Sequence, residues 1–421
     1  MDVRTRSLAP DLTRGYMLLL IALAHAPLFI SATGDATGAD RLVETVRSLL
    51  VDQRARPLFA FLFGYGLVQI MMRQQARGTE EWGPIRRLIS RRGVWMMAIG
   101  LVHTVLFVDI IAVYGLVSIL FVGLLRVSDR ALLWGAGLAM LPTLGIGWIV
   151  AGGALAGEPG IITTSMTMQD PWVSAAHRFQ SLPVEFAGRI LGVTPALLMG
   201  FWAARRRILD EPARYRRPLV ATAVAGLGTA VLGGLPAALM YSGLWTPPPA
   251  PLGQLLATLH YPAGFAGGLG WAALMGLLAL RLDAARGRIA TAVEALGQRS
   301  MSFYLLQSVV FVGLFTPYAL NLGAELSVTE ASLVAVGVWV ASLVLADLMR
   351  RASHRGPAEI LLRRLTYGRP AAAAAGAAAG VAGPAGGGPG ASPGTGPGTG
   401  PGTGPGTGPG RPDSPGARTG G

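Results

Sequence analysis

Asp11, Arg14 and His25 are the residues whose types and spacing could do chemistry together. Asp11 and Arg14 stand three apart, so on a helix they share a face and can pair as ions. Arg14 and His25 stand eleven apart, about three turns, which puts them on one face ~16 Å apart along the axis. The stretch that holds His25, residues 15–32, is otherwise almost entirely apolar. An imidazole set in hydrocarbon is costly, and an ionisable residue there points to function. Its chemistry would be that of a general base on a hydroxyl. The guanidinium would hold a phosphate or carboxylate, with Asp11 orienting it. The competing reading is a histidine that only hydrogen-bonds a neighbouring helix.

Further candidates lie along the chain. His103 and His260 fall inside apolar stretches, and Asp109 interrupts the one that holds His103. Tyr304 and Gln307 are three apart and share a helix face, as polar glue or as substrate contacts. His177 and His354 lie in polar segments and read as surface residues. Glu359 and Arg363 are spaced to pair on a short surface helix. Nothing resembles HExxH, a P-loop or GxSxG, so zinc proteolysis, nucleotide hydrolysis and esterase chemistry lack support. The chain has no cysteine, which excludes disulfides, thiolate catalysis and cysteine metal sites. No metal site and no bound cofactor are expected.

The elements that must position these residues are membrane spans. Of 421 residues, 52% are hydrophobic and 14% charged, and mean hydropathy is +0.49, the balance of an all-α polytopic membrane protein. Ten spans are expected, over residues 15–32, 57–72, two within 93–125 turning at Asp109, then 131–156, 189–204, 218–244, 252–280, 301–320 and 327–349. Two long polar loops, 33–56 and 158–188, separate spans. Arg4, Arg6 and Ser31-Ala32-Thr33 have the outline of a signal peptide, but the long run with His25 and the spans beyond mark a retained helix.

Every basic residue is arginine, and the net charge of +13 sits in short clusters between spans. That pattern fits cytoplasmic loops facing anionic lipid headgroups and gives no nucleic-acid footprint. The positive-inside rule then places both termini in the cytoplasm, with the chain in the plasma membrane. The integral domain covers residues 1–369. Residues 370–421, rich in Ala, Gly, Pro and Thr, carry too little apolar bulk to bury a core and are expected to be disordered.

Five motifs in order resemble the YeiB-like bacterial membrane proteins, domain of unknown function 418. They are Asp11-x-x-Arg14-Gly15; Phe61-Leu-Phe63-Gly64; Gly100-x-x-His103 through Asp109 to Tyr114-Gly115; Gly297-x-x-Ser300-Met-Ser302-x-Tyr304-Leu-x-Gln307; and Gly356-Pro357-x-Glu359 through Arg363 to Tyr367-Gly368. That family has no settled activity, and transport has been suggested for it. The first motif with His25 also resembles the first span of the acyltransferase-3 type membrane acyltransferases. That resemblance implies about ten spans, a catalytic His25, and Arg14 on the side of a cytoplasmic acyl donor such as acyl-CoA. His103 and Asp109 would line the acceptor side, with Tyr304 and Gln307 as further substrate contacts. Two functions follow as expectations: acyl transfer to an extracytoplasmic acceptor, or a small-molecule permease with the buried histidines as a relay.

Overall fold

The structure, a computed structural model, describes residues 7–31, 35–107 and 110–368; among these there are fifteen α-helices and no strand. They are α1 (Leu8–His25), α2 (Gly38–Leu50), α3 (Ala55–Gln75), α4 (Trp82–His103), α5 (Ile111–Leu120), α6 (Asp129–Leu155), α7 (Ile161–Met166) and α8 (Pro171–Arg205). There follow α9 (Arg216–Tyr241), α10 (Leu252–Thr258), α11 (His260–Ala284), α12 (Arg288–Gly297), α13 (Ser300–Phe315), α14 (Val328–Arg351) and α15 (Pro357–Tyr367).

Among the described residues, seven helical stretches are long and apolar enough to cross a membrane. They correspond to seven of the ten expected spans. The other three fall on α4, α5 and α13. Helices α5 and α13 are apolar but short, at 10 and 16 residues, and α4 carries Arg86, Arg87, Arg91 and Arg92 in its first half. The outward faces are those of a protein in lipid. Only 11% of the most apolar window of α6 and 22% of that of α14 is buried against protein. Trp134, Leu138, Ile149, Leu232 and Leu333 are each more than 60% exposed, a load of apolar surface that water would not tolerate.

Several boundaries differ from those expected, each for a local reason. Helix α1 starts at Leu8, so Asp11 and Arg14 sit inside it, and it ends at His25. Pro27 has no N–H and disfavours helix at the residue before it, and the chain tightens into a 3-10 turn over Ala26–Phe29. The polar stretch 33–56 holds a helix, α2. Its N-terminus is closed by a capping box in which Thr37 and Asp40 each bond the other's backbone N–H. The second long loop is mostly helix too. Asp170 accepts from the N–H groups of Trp172 and Val173, both at 2.8 Å, and α8 runs on for 35 residues. The arginine loop before Ser300 contains α12, which buries Ala290, Val293, Leu296 and Gly297.

Helix α1 is the hub, packed against α3, α11, α12, α13 and α14. Its tightest crossing is with α12. A Cβ on Gly15 would stand 2.1 Å from the Val293 carbonyl oxygen, and one on Gly297 would stand 1.8 Å from that of Asp11. Only hydrogen fits at either position. The indole N–H of Trp339 on α14 donates to the Gly15 carbonyl at 3.0 Å, fixing a second neighbour to the same turn.

Candidate functional site

The two ends of α1 open onto two different cavities. His25, its last residue, lines a cavity of about 390 Å³ formed with the α2–α3 corner, α8 and α11. Arg56, Asp52, Arg189, His260 and Tyr261 also face that space. No hydrogen bond holds the His25 ring among the described residues. It packs instead on Phe107, with ring centroids 4.9 Å apart, and meets Tyr304 edge-on at 6.3 Å. An imidazole placed by ring packing keeps its nitrogens available to a ligand. Arg56, Arg189 and His103 are near enough to act on it electrostatically.

Three turns earlier, Arg14 lines a second cavity, of about 270 Å³, together with Gln69, Arg73, Arg92, Gln298 and Glu359. Arg14 pairs with Asp11 at 3.0 Å; the aspartate side chain is 1% exposed and the arginine 20%. The buried carboxylate therefore orients a guanidinium that still reaches open space. Arg73, from the end of α3, and Arg92, from α4, reach the same space with no carboxylate in ion-pair range among the described residues. Glu359 is not the partner of Arg363, as its spacing had suggested. It accepts from the backbone N–H groups of Met301 at 2.8 Å and Ser302 at 3.2 Å, and from the Ser302 hydroxyl. A carboxylate is well placed at that helix N-terminus, where N–H groups lack intrahelical partners. The contact docks α15 on the start of α13.

Phe59 and Tyr304 border both cavities, so together they form the partition between them. Tyr304 is 3% exposed and stands between two histidines, with His103 at 6.0 Å and His25 at 6.3 Å between ring centroids. Tyr114 backs Phe59 at 4.6 Å. Its hydroxyl is buried with no hydrogen-bond partner among the described residues.

The structure thus pairs Asp11 with Arg14 at one cavity and gathers His25, Tyr304 and His103 at the other end of α1, with Tyr304 bordering both cavities. It does not open His103 onto either cavity; that ring is 6% exposed and lies behind Tyr304. His260 shares the His25 cavity, but its ring nitrogens lie 3.2 and 3.1 Å from the Arg54 guanidinium. Gln307 lines neither cavity, and both of its amide atoms are buried without a partner among the described residues. Asp109, the remaining candidate, lies outside the described residues.

Sequence reasoning missed the arginines that matter. Arg54, fully buried, donates to the carbonyls of Ser48, Asp52 and Ala230 and so fastens the α2–α3 corner to α9. Arg178 is 1% exposed and does the same for the end of α4, donating to Thr104 and Val105 at 2.9 and 2.5 Å. Both were read as loop charges. Arg56, closing a polar loop, and Arg189, opening a span, looked no different, since a guanidinium at such a boundary carries no mark of what it will face.

The comparisons with known proteins agree with the motifs. Residues 203–369 match a family model described as "Protein of unknown function (DUF418)", which bears out the resemblance to that family and covers Tyr304, Gln307 and Glu359. Over 394 residues the chain is 23% identical to "Uncharacterized protein YxaH" of Bacillus subtilis (strain 168), covering 85% of this chain and 93% of that protein. No solved structure matches the chain.

Proposed function

We propose that this integral membrane protein transfers acyl groups, from an anionic donor held in the Arg14 cavity to a hydroxyl of an acceptor held in the His25 cavity. One observation carries the reading: the basic cavity and the histidine cavity meet at Phe59 and Tyr304, at opposite ends of one helix. A donor such as acyl-CoA supplies phosphates for Arg14, Arg73 and Arg92, while its thioester needs to reach only past the Tyr304 ring. Asp11 keeps Arg14 aimed. His25 takes the proton of the acceptor hydroxyl as its oxygen attacks the thioester carbonyl. The carbon–sulfur bond breaks, and the leaving thiolate takes the proton back from the His25 imidazolium, which restores the base. With both termini and the arginine-rich loops on the cytoplasmic side of the plasma membrane, near anionic headgroups, the donor comes from the cytoplasm and the acceptor from outside.

The test uses membranes from cells expressing the full chain, supplied with radiolabelled acetyl-CoA. Wild type incorporates label into envelope material. His25→Ala loses it by about a hundredfold or more, the scale of a lost general base, while inserting and melting normally. Full incorporation by His25→Ala overturns the mechanism. A permease draws on the same pair of cavities, and pH-dependent solute flux in proteoliposomes with no label transfer would favour it instead.

A further inference from the structure

Among the described residues, the His25 cavity holds more positive charge than its carboxylates answer. Asp52 is engaged by Arg47 at 2.7 Å, and Arg47 is also held by Glu44 at 2.6 Å. Glu185 takes the Nε of Arg189 at 2.6 Å, which leaves the two terminal nitrogens of that guanidinium with no protein acceptor among the described residues. Arg56 has no ion-pair or hydrogen-bond partner at all among them, and its side chain is exposed into the cavity. The two guanidiniums are close enough to feel each other's charge, and both act on His25. Among the described residues the other ionisable groups facing the space are His25 and His260, which can add only positive charge, and Tyr241, Tyr261 and Tyr304, phenols that are neutral at physiological pH.

Two like charges left side by side in a cavity walled by apolar helices repel one another, and a bound anion relieves that cost. The guanidinium is also the side chain best shaped to fork around a carboxylate or phosphate. The Tyr261 and Tyr304 rings complete an amphipathic wall beside the pair.

We infer that Arg56 and Arg189 form an oxyanion-binding subsite beside His25, so that the molecule entering this cavity carries a carboxylate or phosphate next to its hydroxyl. This deepens the acyl-transfer reading by naming the acceptor as an anionic alcohol. Its source is either a soluble phosphate or sugar acid, or the headgroup of an anionic lipid.

Purified full-length protein in zwitterionic-lipid nanodiscs is melted with increasing inorganic phosphate or glycerol phosphate. In a parallel arm, phosphatidylglycerol is titrated into nanodiscs in phosphate-free buffer. Saturable stabilisation in either arm supports the subsite, and the arm that responds identifies the source. Arg56→Gln and Arg189→Gln each weaken that response at least tenfold, Arg56→Lys weakens it less, and the loop variant Arg77→Gln leaves it unchanged. Arg56 makes no structural bond among the described residues and its removal relieves the repulsion with Arg189, so without ligand Arg56→Gln melts no lower than wild type. No stabilisation in either arm, or stabilisation that Arg56→Gln leaves intact, overturns the inference. Because binding is read without turnover, anion binding with no label transfer sinks only the acyl-transfer reading. Label transfer whose acceptor KM is indifferent to Arg56→Gln sinks only the anionic acceptor.

Discussion

Tyr304 carries two duties that can be separated by substitution. Its ring borders both cavities, 6.0 and 6.3 Å from the His103 and His25 rings, and its hydroxyl is the one polar group that ring carries. Tyr304→Phe keeps the ring and is expected to leave the partition intact. Tyr304→Ala removes it and joins the two spaces past Phe59. Proteoliposomes carrying Tyr304→Ala are therefore expected to leak small ions well above wild type, whereas Tyr304→Phe does not. Equal conductance in both variants would mean that Phe59 and Tyr114 close the boundary alone. The Arg14–His25 relation was legible beforehand because both residues ride one helix, whose rise fixes their spacing. Arg56 and Arg189 were not legible as a pair. They come from α3 and α8, and only tertiary packing brings them to one wall.

Helices meet here through glycine, and the motif glycines mark where. At the α1–α12 crossing Gly15 and Gly297 each let backbone touch backbone, and at the α3–α8 crossing a Cβ on Gly64 would stand 2.4 Å from the Leu197 carbonyl oxygen. In lipid, where apolar burial gives no advantage over contact with tails, such close approach is a main source of helix association. Gly297→Ala must push α1 and α12 apart, and is expected to cost about 1–3 kcal/mol or more. Gly228→Ala, on α9 with nothing within contact of an added methyl, should be neutral or slightly stabilising. Thermal melts of the two variants in the same detergent decide the matter, and equal midpoints would contradict the packing account. Motif order could show that these glycines matter, not which partner each one meets. Likewise α12 was hidden because arginines flank it and its ten residues are too few to read as a span.

At the scale of the whole molecule, the native absence of cysteine gives a clean background for mapping sidedness. Ala76→Cys, after α3, and Thr246→Cys, after α9, both fall on exposed positions between helices. With cytoplasmic termini, a membrane-impermeant maleimide labels Thr246→Cys on intact cells and Ala76→Cys only after permeabilisation. The reverse pattern would invert the proposed orientation and put the basic cavity outside. The all-helical membrane character could be read from composition and apolar run length. The number of crossings could not, since α4, α5 and α13 are too charged or too short to declare themselves. The thin partition has one more consequence in that orientation. With water reaching Arg14 from one side and His25 from the other, the membrane voltage would drop mainly across the partition at Phe59 and Tyr304. Any step that carries a whole charge past those rings then feels nearly the full field, about 2.3 kcal/mol for each 100 mV. An energised cell would bias the forward and reverse directions of such a step against each other, with no further moving part in the protein.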